Sequence, residues 1–137
     1  MNVKVAIQLT NCIGANSGVG FAATKVLACS SDDFHVIIAS RNHEKAKVAM
    51  SEIEAVGIKG ELSTVQLDVT DDKSIADAVA YVKERFGRLD VLVNNAASGC
   101  MDPDTKTRYR ICMETNVTGP AVVAAAFRPL LFKSRNP

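Results

Sequence analysis

No apolar run in this sequence is long enough to cross a bilayer. The longest, Gly119 to Phe127, falls well short of the ~18–20 residues that a span needs. Charge of one sign is equally scarce. Sixteen basic residues stand against 15 acidic ones, a net charge of +1. A dedicated nucleic-acid binder would carry a basic excess, so that class is excluded. No charged-then-apolar leader opens the chain, which predicts a cytoplasmic protein with reduced thiols. The four cysteines, Cys12, Cys29, Cys100 and Cys112, form no Cys-x-x-Cys pair. Neither histidine lies at zinc-finger spacing from them, so no metal site is expected. A Gly-x-Ser-x-Gly elbow is missing, as is a Gly-x-x-x-x-Gly-Lys-Ser/Thr loop. These absences argue against a serine hydrolase of that type and against P-loop phosphoryl transfer.

What remains is an ordinary globular composition. The chain has 137 residues, 47% of them apolar. That length fits one domain over 1–137, able to bury about two thirds of its unfolded surface without a disulfide or metal.

Two periods alternate along it. Val3 to Leu9 is an apolar-rich run that predicts a first strand. A glycine-rich turn, Gly14 to Gly20, follows. Ala22, Val26 and Cys29 then predict the apolar face of a helix from about Val19 to Ser30, with Cys29 in the core. Phe34 to Ala39 predicts a buried parallel strand. Asn42 is a fitting N-cap for a second helix, which Gly57 ends. Leu62 to Val69 predicts a third strand. Thr70 predicts the cap of a third helix, with Ile75, Val79, Val82 and Phe86 as its stripe and Gly87 as its stop. Leu89 to Val93 predicts a fourth strand. Helices over Thr105 to Met113 and Ala121 to Phe132 complete the pattern, the latter bent or shortened at Pro129. His35 and His43 fit structural or solvated roles. Strands alternating with helices predict an α/β, doubly wound parallel sheet with right-handed crossovers.

The loop Gly14-Ala15-Asn16-Ser17-Gly18-Val19-Gly20 joins the first strand to the first helix. Gly14 suits a tight turn, Gly18 a close backbone approach to a pyrophosphate, and Gly20 close helix–sheet packing. Phosphates would rest on the helix N-terminus, where N–H groups and the dipole favour anions. An NAD site usually carries an acid about 20 positions on. Here the second strand ends in Ala39-Ser40-Arg41-Asn42, without a carboxylate. Arg41 is suited to a bidentate pair with the 2′-phosphate of NADP, and Lys45 lies one turn on.

With these residues in order, the sequence resembles the short-chain dehydrogenase/reductase family. Gly14, Gly18 and Gly20 match its glycine motif. Asp68-Val69 matches the Asp-Val that meets the adenine. Asn94-Asn95-Ala96-Ala97 matches Asn-Asn-Ala-Gly, and Asn116 matches the Asn of the catalytic tetrad. Ser40-Arg41-Asn42 is most similar to NADP-dependent carbonyl reductases of the family. Two departures stand out: Ile13 replaces the motif's Thr, and Ala97 replaces the final Gly.

The resemblance implies a Rossmann-type fold, truncated, with strand order 3-2-1-4. It implies NADP (NADPH) as cofactor, held by Gly14, Asn16, Ser17, Gly18, Val19, Gly20, Arg41, Asp68, Val69, Asn95 and Ala96. Asn116 would be the one catalytic residue, a backbone-holding structural Asn being the alternative. The family's Ser and Tyr-x-x-x-Lys, in the second half of its domain, are absent. Tyr81 is followed four positions later by Arg85, and Tyr109 by Met113. The implied chemistry is hydride transfer between NADPH and a small carbonyl or alcohol substrate, with this chain inactive alone. The other reading is a nonenzymatic nucleotide-binding or partner-pairing fragment, open to self-association along its fourth strand.

Overall fold

The computed structural model describes residues 8–134, with side chains from Ile13 onward. Four strands form one parallel sheet: β1 Gln8–Ile13, β2 Phe34–Ser40, β3 Glu61–Gln66 and β4 Val91–Asn94. Their order is β3-β2-β1-β4, as the resemblance implies. Each crossover carries helix: α1 Gly18–Ser30, α2 His43–Glu54 and α3 Asp72–Phe86. After β4 come α4 Thr105–Met113, a π-helical turn Glu114–Thr118, and α5 Gly119–Leu131. No helix among the described residues is long and apolar enough to cross a membrane.

β2 shows why its sequence is nearly unbroken in apolar residues. Val36 and Ile38 face one side, packing with Ala28 of α1 and with Ala46 and Ile53 of α2. Ile37 and Ala39 face the other, where α3 brings Ile75, Ala78 and Val82, and α5 brings Val123, Phe127 and Leu130. A strand covered on both faces has no solvent side to make polar.

Local signals fix most helix ends. The Asn42 side chain accepts the Lys45 N–H at 3.0 Å. Helix α2 stops at Glu54, and Gly57 closes the following turn by donating to the Glu54 carbonyl at 3.0 Å. Gly87 ends α3 in the left-handed region, with φ 73°. The third helix is capped by Asp71, not Thr70. Asp71 accepts from Lys73 N–H at 2.9 Å and Ser74 N–H at 3.3 Å. Thr70 is instead turned back onto Asp68.

Strand limits depart further from expectation. Residues 3–7 of the expected first strand lie outside the described residues. Within the described residues the ladder runs from Gln8 through the polar stretch to Ile13. β1 is one of two interior strands, paired with β2 (Thr10 opposite Val36) and with β4 (Thr10 opposite Val91). Backbone pairing on both sides carries it, whatever its side-chain pattern. β3 ends at Gln66 although Leu67 and Val69 remain buried; core burial outlasts the ladder there. β4 starts two residues late because the Leu89 N–H donates to the Leu130 carbonyl of α5 at 3.1 Å.

In α1 the buried positions are Gly20, Thr24 and Ala28, not the expected stripe. Val26 is 67% exposed and Cys29 only half-buried. Small residues let this helix lie close to the sheet, so the larger apolar residues fall outside the contact. The last two helices are joined by the π turn, which the sequence did not reveal. Pro129 stays within α5, two residues before its end.

At the opposite edge of β2 and β3 lies a buried histidine. His35 Nδ1 is 3.2 Å from Glu61 Oε2, and Nε2 is 3.0 Å from Ser63 Oγ. A carboxylate only accepts, so Nδ1 carries the proton and Nε2 accepts from the Ser63 hydroxyl. Phe86 meets the ring edge-on at 4.8 Å. Burial holds this histidine below its ordinary pKa; Glu61 opposes the shift, and Arg85 adds to it. The fold thus keeps His35 neutral while the unfolded chain takes up a proton. Its contribution is present above the unfolded pKa and is lost as pH falls through the folded one. The melting temperature should therefore drop between about pH 7 and pH 5 more steeply in the native chain than in His35→Gln. Parallel melting curves by circular dichroism check this; equal slopes would refute it.

Candidate functional site

The C-terminal ends of the four strands, with the segments that follow them, enclose a crevice of about 910 Å³. Its floor is the turn from β1 into α1. Gly14 (φ 75°) and Gly18 (φ 59°) take left-handed backbone that side chains disfavour. The Gly14 N–H donates to the Ala39 carbonyl at 2.8 Å, tying the turn to β2. A Cβ on Gly14 would lie 3.0 Å from Ala96 Cα; one on Gly20 would lie 2.5 Å from Asn95 Nδ2. Asn95 Nδ2 donates to the Gly14 carbonyl at 3.3 Å, so the end of β4 is pinned to the glycine turn.

Helix α1 starts at this floor with no acidic residue in its first turn. Its N-cap, Ser17, makes no capping bond from its side chain. The positive end of the α1 dipole therefore meets no neutralising carboxylate from its own first turn.

Of the expected residues, Gly14, Asn16, Ser17 and Val19 line the crevice from the turn. Arg41 lines it from the end of β2, Asp68 and Val69 from the segment after β3, and Asn95 and Ala96 from the end of β4. Gly18, exposed, and Gly20, buried, open α1 but are not among the lining residues. Arg41 is exposed, and Lys45 stands with it on the same wall. The Asp68 turn is stiff: Oδ1 accepts from the Thr70 N–H at 2.9 Å and hydroxyl at 2.7 Å.

Asn116 is not on the crevice wall. It sits in the π turn, exposed, with both ends of its amide on Ser98. Oδ1 accepts the Ser98 N–H at 2.8 Å, and Nδ2 donates to the Ser98 carbonyl at 3.0 Å. It holds the loop that leaves β4, rather than the backbone of its own helix.

Ser40 lines the crevice as well, although the sequence points to it only as part of the Ser40-Arg41-Asn42 segment. Thr115 and Glu114 reach the crevice from the π turn. Gly119 does not line it but sets its width. A Cβ there would lie 2.8 Å from the Val69 carbonyl oxygen, so α5 can start against the Asp68-Val69 turn only with glycine. The two departures from the family motif both line the crevice, Ile13 as a core side chain 1% exposed and Ala97 as an exposed one.

Residues 9–136 match the profile of the short chain dehydrogenase family. This chain belongs to that family. It is 42% identical over 125 residues to the short-chain dehydrogenase anuI of Penicillium roqueforti, a match covering 89% of this chain and 49% of that protein. It is 33% identical over 121 residues to mouse carbonyl reductase [NADPH] 1, covering 86% of this chain and 43% of that protein. A solved metagenomic short-chain oxidoreductase in complex with NADP is similar with a TM-score of 0.78 at 29% identity. That match covers 93% of this chain and 58% of the other. The chain spans about half the length of the curated relatives it matches.

The close contact at Gly20 has a measurable consequence. Gly20→Ala should destabilise the fold by about 1–3 kcal/mol, because the new Cβ must displace Asn95. Gly99→Ala, where a Cβ meets nothing within 4 Å, serves as the control and should change little. Urea unfolding of the two variants checks the difference.

Proposed function

We propose that this short-chain dehydrogenase domain binds NADPH in the crevice and serves hydride transfer between it and a small carbonyl or alcohol. The observation that carries the cofactor choice is the end of β2. There Arg41 and Lys45 line the crevice and residues 39–42 hold no carboxylate. A 2′-phosphate finds two cations on that wall, where an NAD-selective site would present an acid to a ribose hydroxyl. The rest of the crevice suits a dinucleotide: a helix N-terminus without an acidic residue in its first turn for the pyrophosphate, and a Gly14 turn packed so closely on Ala96 that a Cβ would not fit without displacement. In this reading Asp68 and Val69 meet the adenine, as the family resemblance implies, and Asn95 and Ala96 complete the cofactor site.

When bound, the nicotinamide supplies the hydride. This chain's own residues bind and orient it. Asn116 contributes by holding the Ser98 loop against the crevice, and its amide cannot exchange a proton near neutral pH. The proton for the substrate oxygen needs an acid, and in the family a Tyr-x-x-x-Lys with a Ser supplies it. None of these stands in the 137 residues. The polypeptide of these residues therefore binds cofactor without turning over carbonyls. A second reading, pairing with another chain, draws on β4. Among the described residues it is an edge strand, hydrogen-bonded to β1 alone, and its outer edge can take a further strand.

Calorimetry tests the first reading. NADPH should bind about 10- to 150-fold more tightly than NADH, since hydrogen bonds to a charged group contribute ~1.5–3 kcal/mol. Arg41→Asp should erase or invert that preference. Equal affinities in the unaltered chain would overturn it. For the isolated polypeptide, no oxidation of NADPH is expected with reactive dicarbonyls or quinones, since losing general acid catalysis alone costs about 10²- to 10⁴-fold. The same preparation should scatter light as oligomers. Turnover that survives stringent purification would refute the inactivity, and a monomer at high concentration would refute the pairing.

A further inference from the structure

Ser40 is the last residue of β2, only 3% exposed, and it bridges two parts of the crevice wall. The Asn42 N–H donates to Ser40 Oγ at 3.2 Å. Ser40 Oγ in turn donates to Asn16 Oδ1 at 3.0 Å. The order of donors follows from the chemistry. A backbone N–H can only donate, so the Ser40 oxygen accepts there. The buried hydroxyl proton then needs an acceptor, and Asn16 Oδ1 is the acceptor in reach. A flipped Asn16 amide would aim a second donor at Ser40 and strand that proton. The bond therefore fixes which end of the Asn16 amide is left over. It is Nδ2, with two N–H donors, on a side chain that lines the crevice beside Arg41 and Lys45.

Three donors thus line one crevice: an amide NH₂ from the glycine turn, and a guanidinium and an ammonium from the residues that follow β2. Phosphate oxygens accept from all three, whereas a ribose hydroxyl makes less use of them. We propose that Ser40 is a positioning residue for cofactor choice, locking the Asn16 amide donor-outward so that Asn16 joins Arg41 in binding the 2′-phosphate. The inference rests on the NADPH reading above. It adds that selectivity depends on an uncharged, nearly buried hydroxyl behind the charged groups of the crevice.

The experiment measures dissociation constants for NADPH and NADH by calorimetry on the full 137-residue chain and three variants. Ser40→Ala should weaken NADPH about 3- to 10-fold and leave NADH within about 2-fold. Ser40→Thr, which keeps the hydroxyl, should restore the native ratio. Asn16→Asp keeps an acceptor for Ser40 but turns the outward donor into a carboxylate oxygen. It should cost NADPH more than it costs NADH. An unchanged NADPH-to-NADH ratio in Ser40→Ala, or in Asn16→Asp, overturns the proposal. Should Ser40→Ala fail to fold, Asn16→Asp decides, because it leaves β2 intact. Equal affinities in the unaltered chain would overturn the cofactor reading, and this proposal with it, before any variant is compared.

Discussion

The ends of β1 and β4 come so near each other that side chains are excluded between them. Gly14 lies against the Ala96 backbone, Gly20 against the Asn95 amide, and Asn95 donates back to the Gly14 carbonyl. Everything else about the crevice follows from this contact. It brings the N-terminus of α1 up to the mouth of the sheet and fixes the direction of the dipole there. It also sets the distance between the β2 wall, with Arg41, and the β4 wall, with Ala96. The same economy of space recurs at Gly119, where α5 begins against the Val69 carbonyl. Two glycines of one turn and a third about a hundred residues on thus shape one cavity by what they leave out.

Much of this was legible in the sequence, for identifiable reasons. β2 was legible because both its faces are buried, so it reads as one apolar run. The Asn42 cap and the Gly87 stop were legible because each acts within a single turn. β1 was legible in part: its described ladder runs on past the expected end at Leu9, through Thr10, Asn11 and Cys12, where backbone pairing and not an apolar pattern marks the strand. The buried face of α1 was misjudged for a related reason. Gly20, Thr24 and Ala28 pack because they are small, and smallness does not register as hydrophobicity. Thr70 and Asp71 are both good caps, and the choice went to the carboxylate once Asp68 had engaged the threonine.

The site divides along the same line. Its glycine turn, Arg41, Asp68 and Asn95 stand in linear motifs and could be named in advance. Ser40 stands in such a segment too, but its hydrogen bond to Asn16, 24 residues away, is not written there. The position of Asn116 in a π turn, clamping Ser98, likewise depends on a contact across 18 residues. Short-range chemistry is written in neighbouring residues; relays between walls appear only when the strands are side by side.

The bond between Asn95 and Gly14 spans 81 residues of chain. Every ladder in the sheet is parallel, so each pairing closes a long loop before its contacts form, and such topologies fold slowly. The crevice draws one wall from each strand end, which makes it a property of the completed ladder rather than of any segment. A piece containing only the glycine turn, or only the Arg41 wall, holds no cavity at all. Ligand bound there would touch every strand's end at once. Its binding energy would be shared by the whole sheet, raising the stability of the fold by mass action with the logarithm of the ratio of its concentration to the dissociation constant.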